Sequence, residues 1–265
     1  MDVVTNISKT KREYNVTLND EIILRLDKKV IDKLAVMDEV EMEELVKESY
    51  DYLYESGLNL SLNYLSYAIR CEMEIITYLE KKHFPEIVIN DILNRLLELK
   101  YVNDYDYSQS FIRTKVSSLT GRNKIKNDLI NKGIKPDIVY SSLNEYFSEE
   151  EERENLIEFI TKQNNKHKEL FLREKKDKII NSAIRKGYDY KLVNSLIDEY
   201  ISEEDSLVEN EKIKEKIRKR FYKYLNKGED IKSVKYKVYS FFYNKGYSEE
   251  ILNSVYEEIE SQIEE

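Results

Sequence analysis

One cysteine, two prolines and six glycines stand in a chain of 265 residues, and each shortage removes a class of protein. Cys71 alone cannot close a disulfide within the chain, which fits a reducing compartment. With His83 and His167 as the only histidines, a Cys/His zinc site cannot be assembled, because zinc prefers four N or S ligands. The glycines, at 57, 121, 133, 187, 228 and 246, form neither G-x-G-x-x-G nor G-x-x-x-x-G-K-[ST], so the standard nucleotide-phosphate cradles are missing. No run reaches the roughly 18 apolar residues of a membrane span. Met1 to Asn6 offers neither a basic n-region nor an apolar h-region, so no export signal is expected and the expected location is cytoplasmic. Glycine and proline punctuate turns; where both are scarce in a charged sequence, the elements are long and helical.

Charge is abundant and unevenly placed. The net charge of −9 comes from 43 basic and 52 acidic residues. Residues 1–60 sum to −6, 61–147 to +1, 148–211 to −6 and 212–265 to +2. Lys212 to Lys237 holds eleven basic residues against Glu215, Glu229 and Asp230, and Arg113 to Lys135 holds seven against Asp128. Such stretches attract phosphate or an acidic protein surface whatever the total, although two solvated helix faces would look the same. The acidic total argues against a general nucleic-acid coat.

The first thirty residues read as strands. Val3–Ile7, Tyr14–Leu18 and Ile22–Leu26 are short runs of β-branched or aromatic residues, and Asn19-Asp20 is a turn signal. An antiparallel hairpin or meander packed on a helix is expected, since a bare hairpin is marginal. Asp38–Leu58 follows as an acidic helix with Val40, Leu45, Val46, Tyr50, Leu53 and Tyr54 on its apolar face.

Beyond this the chain repeats. Lys82-His83-Phe84, Lys132-Gly133-Ile134, Lys186-Gly187-Tyr188 and Lys245-Gly246-Tyr247 share one pattern, their centres 50, 54 and 59 residues apart. Counting from each centre, apolar residues recur at +1 (Phe84, Ile134, Tyr188, Tyr247) and at +5 (Val88, Ile138, Leu192, Ile251). They recur again at +6 (Ile89, Val139, Val193, Leu252) and +10 (Leu93, Leu143, Ile197, Tyr256). The pattern is a helix end and a helix start: glycine takes the left-handed C′ conformation and lysine faces the negative helix end. Pro136, Asp189 and Ser248 then open the next helix. His83 replaces glycine in the first copy, so that corner is expected to be looser or differently shaped; His167 reads as a surface residue. The period suits a three-helix unit. The fold expected is mainly α: tandem three-helix repeats in an elongated curved array, with the small antiparallel β segment at the start. The divisions are 1–58, 59–110, 111–160, 161–211 and 212–265.

Leu62 to Ile75 (Leu-Asn-Tyr-Leu-Ser-Tyr-Ala-Ile-Arg-Cys-Glu-Met-Glu-Ile) resembles the opening motif of the RecX regulatory proteins, approximately A-L-x-Y-L-S-x-R-x-R-S-E-x-E-L. Tyr101 to Arg113 is similar to the family's Y-[LV]-[ND]-D-x-x-[YF]-A-x-x-[FY]-[IV]-R, Ile125 to Ile134 to I-x-x-x-L-x-x-K-G-I, and Lys235 to Ile259 to its closing motif. The likeness spans about 60–265. Ala68 departs from a family arginine, leaving Arg70, and Cys71 replaces the serine that would cap the next helix.

The resemblance implies a modulator of the RecA recombinase that binds RecA and the RecA–single-stranded DNA filament, most often as an inhibitor, in recombination, DNA repair and the SOS response. It implies no enzyme, cofactor, metal or membrane, and a monomer; direct contact with DNA is left open. Leu93, Leu96, Leu143, Leu196 and Val255 are expected in the core. Arg70, Arg113, Arg122, Lys124, Lys126, Arg218, Lys219, Arg220 and Lys223 are the candidates for contact with filament or DNA. Phe221, Tyr222, Tyr224 and Tyr236 lie among them, and core packing explains such aromatics more simply than base stacking. Two other readings exist: a helical nucleic-acid-binding protein acting without RecA, and an enzyme with paired carboxylates. For the enzyme, Asp104 and Asp106 at i, i+2 on a helix start point apart, Asp104 reads as a cap, and Glu149–Glu152 read as a solvated first turn.

Overall fold

The structure, a computed structural model, describes residues 1–9, 14–167, 170, 172–201, 210–247 and 249–264. It divides into two compact units, 1–113 with 126–146, and 114–125 with 147–265.

The first unit opens with strands β1 (Asp2–Lys9), β2 (Tyr14–Leu18) and β3 (Ile22–Arg25), a short helix α1 (Lys28–Ile31) and a two-residue strand β4 (Glu39–Val40). The sheet is antiparallel in the order β3-β2-β1-β4. Asn19 and Asp20 both take positive φ, 52° and 60°, as their short polar side chains allow. Asn19 also receives the Val3 N–H at 2.9 Å, which ties the turn to β1. Val4, Val16, Leu18, Leu24, Leu26, Val30 and Ile31 pack with Leu45 of the next helix, α2 (Met42–Tyr67).

The expected helix over 38–58 is therefore displaced. Val40 belongs to β4, where it pairs with Asp2, and the helix runs on to Tyr67. Gly57 does not end it. A Cβ there would lie 2.5 Å from Ile92 Cδ1, so this glycine is a mid-helix notch that lets another helix approach. That helix is α4 (Glu86–Glu98), preceded by α3 (Glu72–Glu80), and Leu53, Ile75, Leu79, Phe84, Val88, Ile92 and Leu96 form the shared core. Three further groups follow: α5 (Asp104–Ser117), α6 (Arg122–Asn131) and α7 (Pro136–Tyr146); α8 (Glu149–Lys166), α9 (Leu172–Arg185) and α10 (Tyr190–Tyr200); α11 (Asn210–Leu225), α12 (Ile231–Asn244) and α13 (Glu249–Glu264). The third and fourth groups, in the second unit, have cores centred on Ile179, Val193 and Leu196 and on Ile217, Phe221 and Leu252.

The repeat pattern becomes four like corners. Phe84, Ile134, Tyr188 and Tyr247 are buried, and each donates its N–H to the carbonyl five residues back: Leu79, Leu129, Ala183 and Phe242. This is the Schellman closure. The +6 and +10 residues are buried in all four copies, as are Leu93, Leu96, Leu143, Leu196 and Val255. Asp189 accepts the N–H groups of Lys191 and Leu192, Pro136 is the first residue of α7, and Ser248 lies outside the described residues. The first corner is not differently shaped. His83 adopts φ 60° beside Gly133, Gly187 and Gly246 at 81°, 94° and 89°. Its carbonyl also accepts the Arg25 N–H at 2.8 Å, tying the sheet to the helices.

The corners also join one three-helix group to the next. Within the first unit, the Lys132-Gly133 corner meets the start of α3: Lys132 Nζ reaches Glu74 at 2.8 Å, and a Cβ on Gly133 would lie 2.9 Å from Met73 Cβ. Asp104 of α5 accepts the Glu72 N–H at 2.9 Å, so the start of α3, where Cys71 and Glu74 form a capping box, is held from the following group as well. Asn103, rather than Asp104, caps α5 by accepting the Tyr105 N–H. Within the second unit the device recurs at the start of α6. Gly121 donates to the Lys186 carbonyl at 2.9 Å, Asn123 to the Gly187 carbonyl at 3.2 Å, and Glu152 of α8 accepts the Arg122 N–H at 2.8 Å. Glu152 is thus buried, 8% exposed, and is no part of a solvated turn. A third copy brings Lys245 to Glu174 at the start of α9.

Candidate functional site

Helix α11 carries the densest basic stretch, and its 3.6-residue period sorts the cations into separate stripes. Ile213, Ile217 and Phe221 face the core. Lys214 and Arg218, one stripe over, both bind the Glu258 carboxylate of α13, which hydrogen bonds from the two cations hold below the usual carboxylate range. Lys216 and Arg220 line a cavity of about 330 Å³ with Glu174, Phe241, Lys245 and Tyr247. Lys219 and Lys223 are exposed to solvent, Lys219 in an i,i+4 pair with Glu215 at 2.8 Å.

The eleven-to-three excess of the sequence is therefore smaller in space. Glu258 and Glu260 of α13 return to the stretch from far along the chain, and Glu174 of α9 lines the cavity beside it. Of the candidate contacts here, Lys219 and Lys223 present their charge outward, while Arg218 is part of the helix packing. Arg220 is half-buried, its guanidinium carbon 3.5 Å from the centroid of the Phe241 ring. Sequence reasoning reads Lys245 only as a corner lysine and does not name Lys216 or Phe241; the +4 spacing of Lys216 and Arg220 is the available signal. The aromatics divide: Phe221 is core, Tyr222 and Tyr224 are half-buried, and Tyr236 stands 75% exposed.

The central candidates also separate. Arg122 is half-buried and its guanidinium donates to the Phe147 carbonyl, a packing role beside Glu152. Lys124 is exposed, though its backbone lies against Gly187. Arg113 is exposed, 5.7 Å over the Tyr146 ring, and Lys126 is half-buried. Arg70 lies 4.2 Å over the Tyr64 ring, just after an exposed apolar tip in which Tyr67 and Ile69 are 85% and 60% accessible.

Cys71 is buried at the start of α3, where burial pushes its thiol up to about 11, so it stays protonated and unreactive at neutral pH. Among the described residues, no group of three or more His, Cys, Asp or Glu is placed to hold a metal ion, and no helix is long and apolar enough to cross a membrane.

Comparison with known proteins agrees with this architecture. The first three-helix domain of RecX matches residues 58–96 and the second matches 103–143. Regulatory protein RecX of Listeria welshimeri is 30% identical over 184 residues, 65% of this chain and 67% of the relative. That of Halalkalibacterium halodurans is 30% identical over 173 residues, 62% of this chain and 65% of the relative. The crystal structure of RecX from Lactobacillus salivarius superposes with a TM-score of 0.52 at 30% identity, covering 57% of this chain and 97% of that one. With tandem three-helix groups, their corners and these relatives in hand, the chain belongs to the RecX family of regulatory proteins.

Proposed function

We propose that this chain binds RecA and the RecA–single-stranded DNA filament as a monomer in the cytoplasm. There it restrains ATP hydrolysis, filament growth and strand exchange in recombination and repair. The observation that carries the reading is the match of both RecX three-helix domains, in order, across 58–96 and 103–143. The outward cations Lys124, Lys219 and Lys223, with Arg113, support it, because complementary charge fixes register and speeds encounter more than it adds affinity.

The test is DNA-dependent ATP hydrolysis by the cognate RecA. The parent chain slows it at modest molar ratio, and the Lys219→Glu/Lys223→Glu double variant slows it less at unchanged helicity. A parent without effect on RecA overturns the reading. A double variant that acts like the parent returns those lysines to a solvated face.

A further inference from the structure

Within the first unit, α2 and the start of α4 leave an open groove of about 610 Å³ between them. Met42, Val46 and Tyr50 stand at four-residue spacing along one stripe of α2, and Pro85 and Ile87 form the other wall. Sites that enclose a ligand or a set of anchoring side chains span roughly 300–1,000 Å³, and this one falls among them. Ile87 is 59% exposed, and Met42, Tyr50 and Pro85 are half-buried, so apolar surface stays open beside a core that both helices already fill.

Charge frames that surface on both sides. Glu43 stands on the α2 wall and Glu86 on the α4 wall, both exposed, and Lys47 is the one cation among the lining residues. Tyr50 donates its hydroxyl to Asp91 of α4 at 2.6 Å, which fixes the ring and brings a third carboxylate to that end of the groove. Residues 1–60, which supply the α2 wall, sum to −6. An apolar floor between acidic walls is the complement of a helix whose apolar stripe is flanked by Lys or Arg. Its anchors at i, i+3 or i+4 and i+7 fill the floor, and its cations meet Glu43 and Glu86. A nucleic acid or an acidic segment carries the wrong sign for these walls.

We propose that this groove docks a basic amphipathic helix of a partner protein, with Met42, Val46 and Ile87 receiving its apolar anchors and Glu43 and Glu86 its cations. The proposal does not draw on the RecA reading. Its test uses neither RecA nor DNA, so the two fail separately.

The experiment is fluorescence anisotropy with the full chain and a labelled amphipathic peptide of leucine and lysine, beside a leucine–glutamate peptide with the same apolar stripe. The lysine peptide is expected to bind about tenfold or more tightly than its glutamate counterpart. Ile87→Ser removes an exposed anchor contact, and Glu43→Gln/Glu86→Gln removes the charge of both walls. Each is expected to weaken the lysine peptide about threefold or more. Glu149→Gln/Glu150→Gln, a matched change of charge on α8 of the second unit, leaves it at parental affinity. Both wall acids lie in the first turn of their helices, where negative charge is favourable, so helicity and melting are read beside binding in each variant. Parental affinity in Ile87→Ser, or an equal loss in the α8 variant, overturns the proposal. So does equal binding of the two peptides. A parent that sediments as a dimer and becomes a monomer in Ile87→Ser also overturns it, by giving the groove to a second copy of this chain.

Discussion

Asp104 and Glu152 are acids that cap helices other than their own. Each sits near the start of one helix and accepts a backbone N–H from the start of another, Glu72 for Asp104 and Arg122 for Glu152. Burial raises both carboxyls above the ordinary carboxylate value, and the N–H bonds offset this only in part. An acid whose folded value is raised binds its proton more tightly when folded. Its contribution is therefore most favourable below the unfolded value and declines as pH climbs through the folded one. Glu152→Gln keeps the acceptor and drops the charge. Thermal melts are expected to place it at or above the parent at pH 7.5, with the difference vanishing as pH falls below the ordinary glutamate range and the parent's carboxyl protonates. A glutamine variant that is less stable only at neutral pH would show the charge to be net favourable. Glu152→Ala leaves the Arg122 N–H without its acceptor in a buried joint, and thermal melts should show a loss of about 1.5–3 kcal/mol. The sequence could reveal that these acids cap something, because Asp and Glu favour helix starts. It could not reveal which helix, because 32 and 30 residues separate the partners.

The corner is the element the sequence announces best and also the one that carries the joints. Lys-Gly followed by an apolar residue specifies a left-handed residue and a buried pin, both local properties. Its second use, as a seat for the preceding group's helix start, depends on a backbone approach with no sequence signal. Gly187 shows both demands: φ is 94°, and an added Cβ would lie 2.3 Å from Lys124 Cβ. Gly187→Ala is therefore expected to cost more than about 2 kcal/mol by chemical denaturation, through strain and collision together. His83→Gly, at φ 60°, makes the opposite case: the left-handed strain is relieved and the Arg25 bond, made to the backbone carbonyl, is kept. A gain of about 0.5 kcal/mol is expected, and a loss would mean that the imidazole contributes contacts of its own. Other corners were illegible. Lys100 and Leu119 end α4 and α5 in the same left-handed conformation, at 58° and 53°, without a glycine to mark them. The basic face of α11 is half legible for a related reason: a count along the chain cannot see Glu258 arriving from α13.

At the scale of the molecule, the described residues gather into several cores. The sheet with α1, the α2–α4 group, the α8–α10 group and the α11–α13 group each enclose their own cluster. In repeat proteins of this kind, stability is approximately a sum of unit terms and nearest-neighbour joints, so a local defect stays largely local. Ile217 is fully buried in the last cluster, and Ile217→Ala should cost about 2–5 kcal/mol there through lost transfer energy and a residual cavity. Native-state hydrogen exchange reads where that cost falls. The amides of α11–α13 are expected to lose protection by the full amount, while those of α3 and α4, whose core shares no side chain with Ile217, keep parental protection. Equal loss in both places would mean that the chain opens as a single cooperative body. The joints, rather than the separate cores, would then govern its stability.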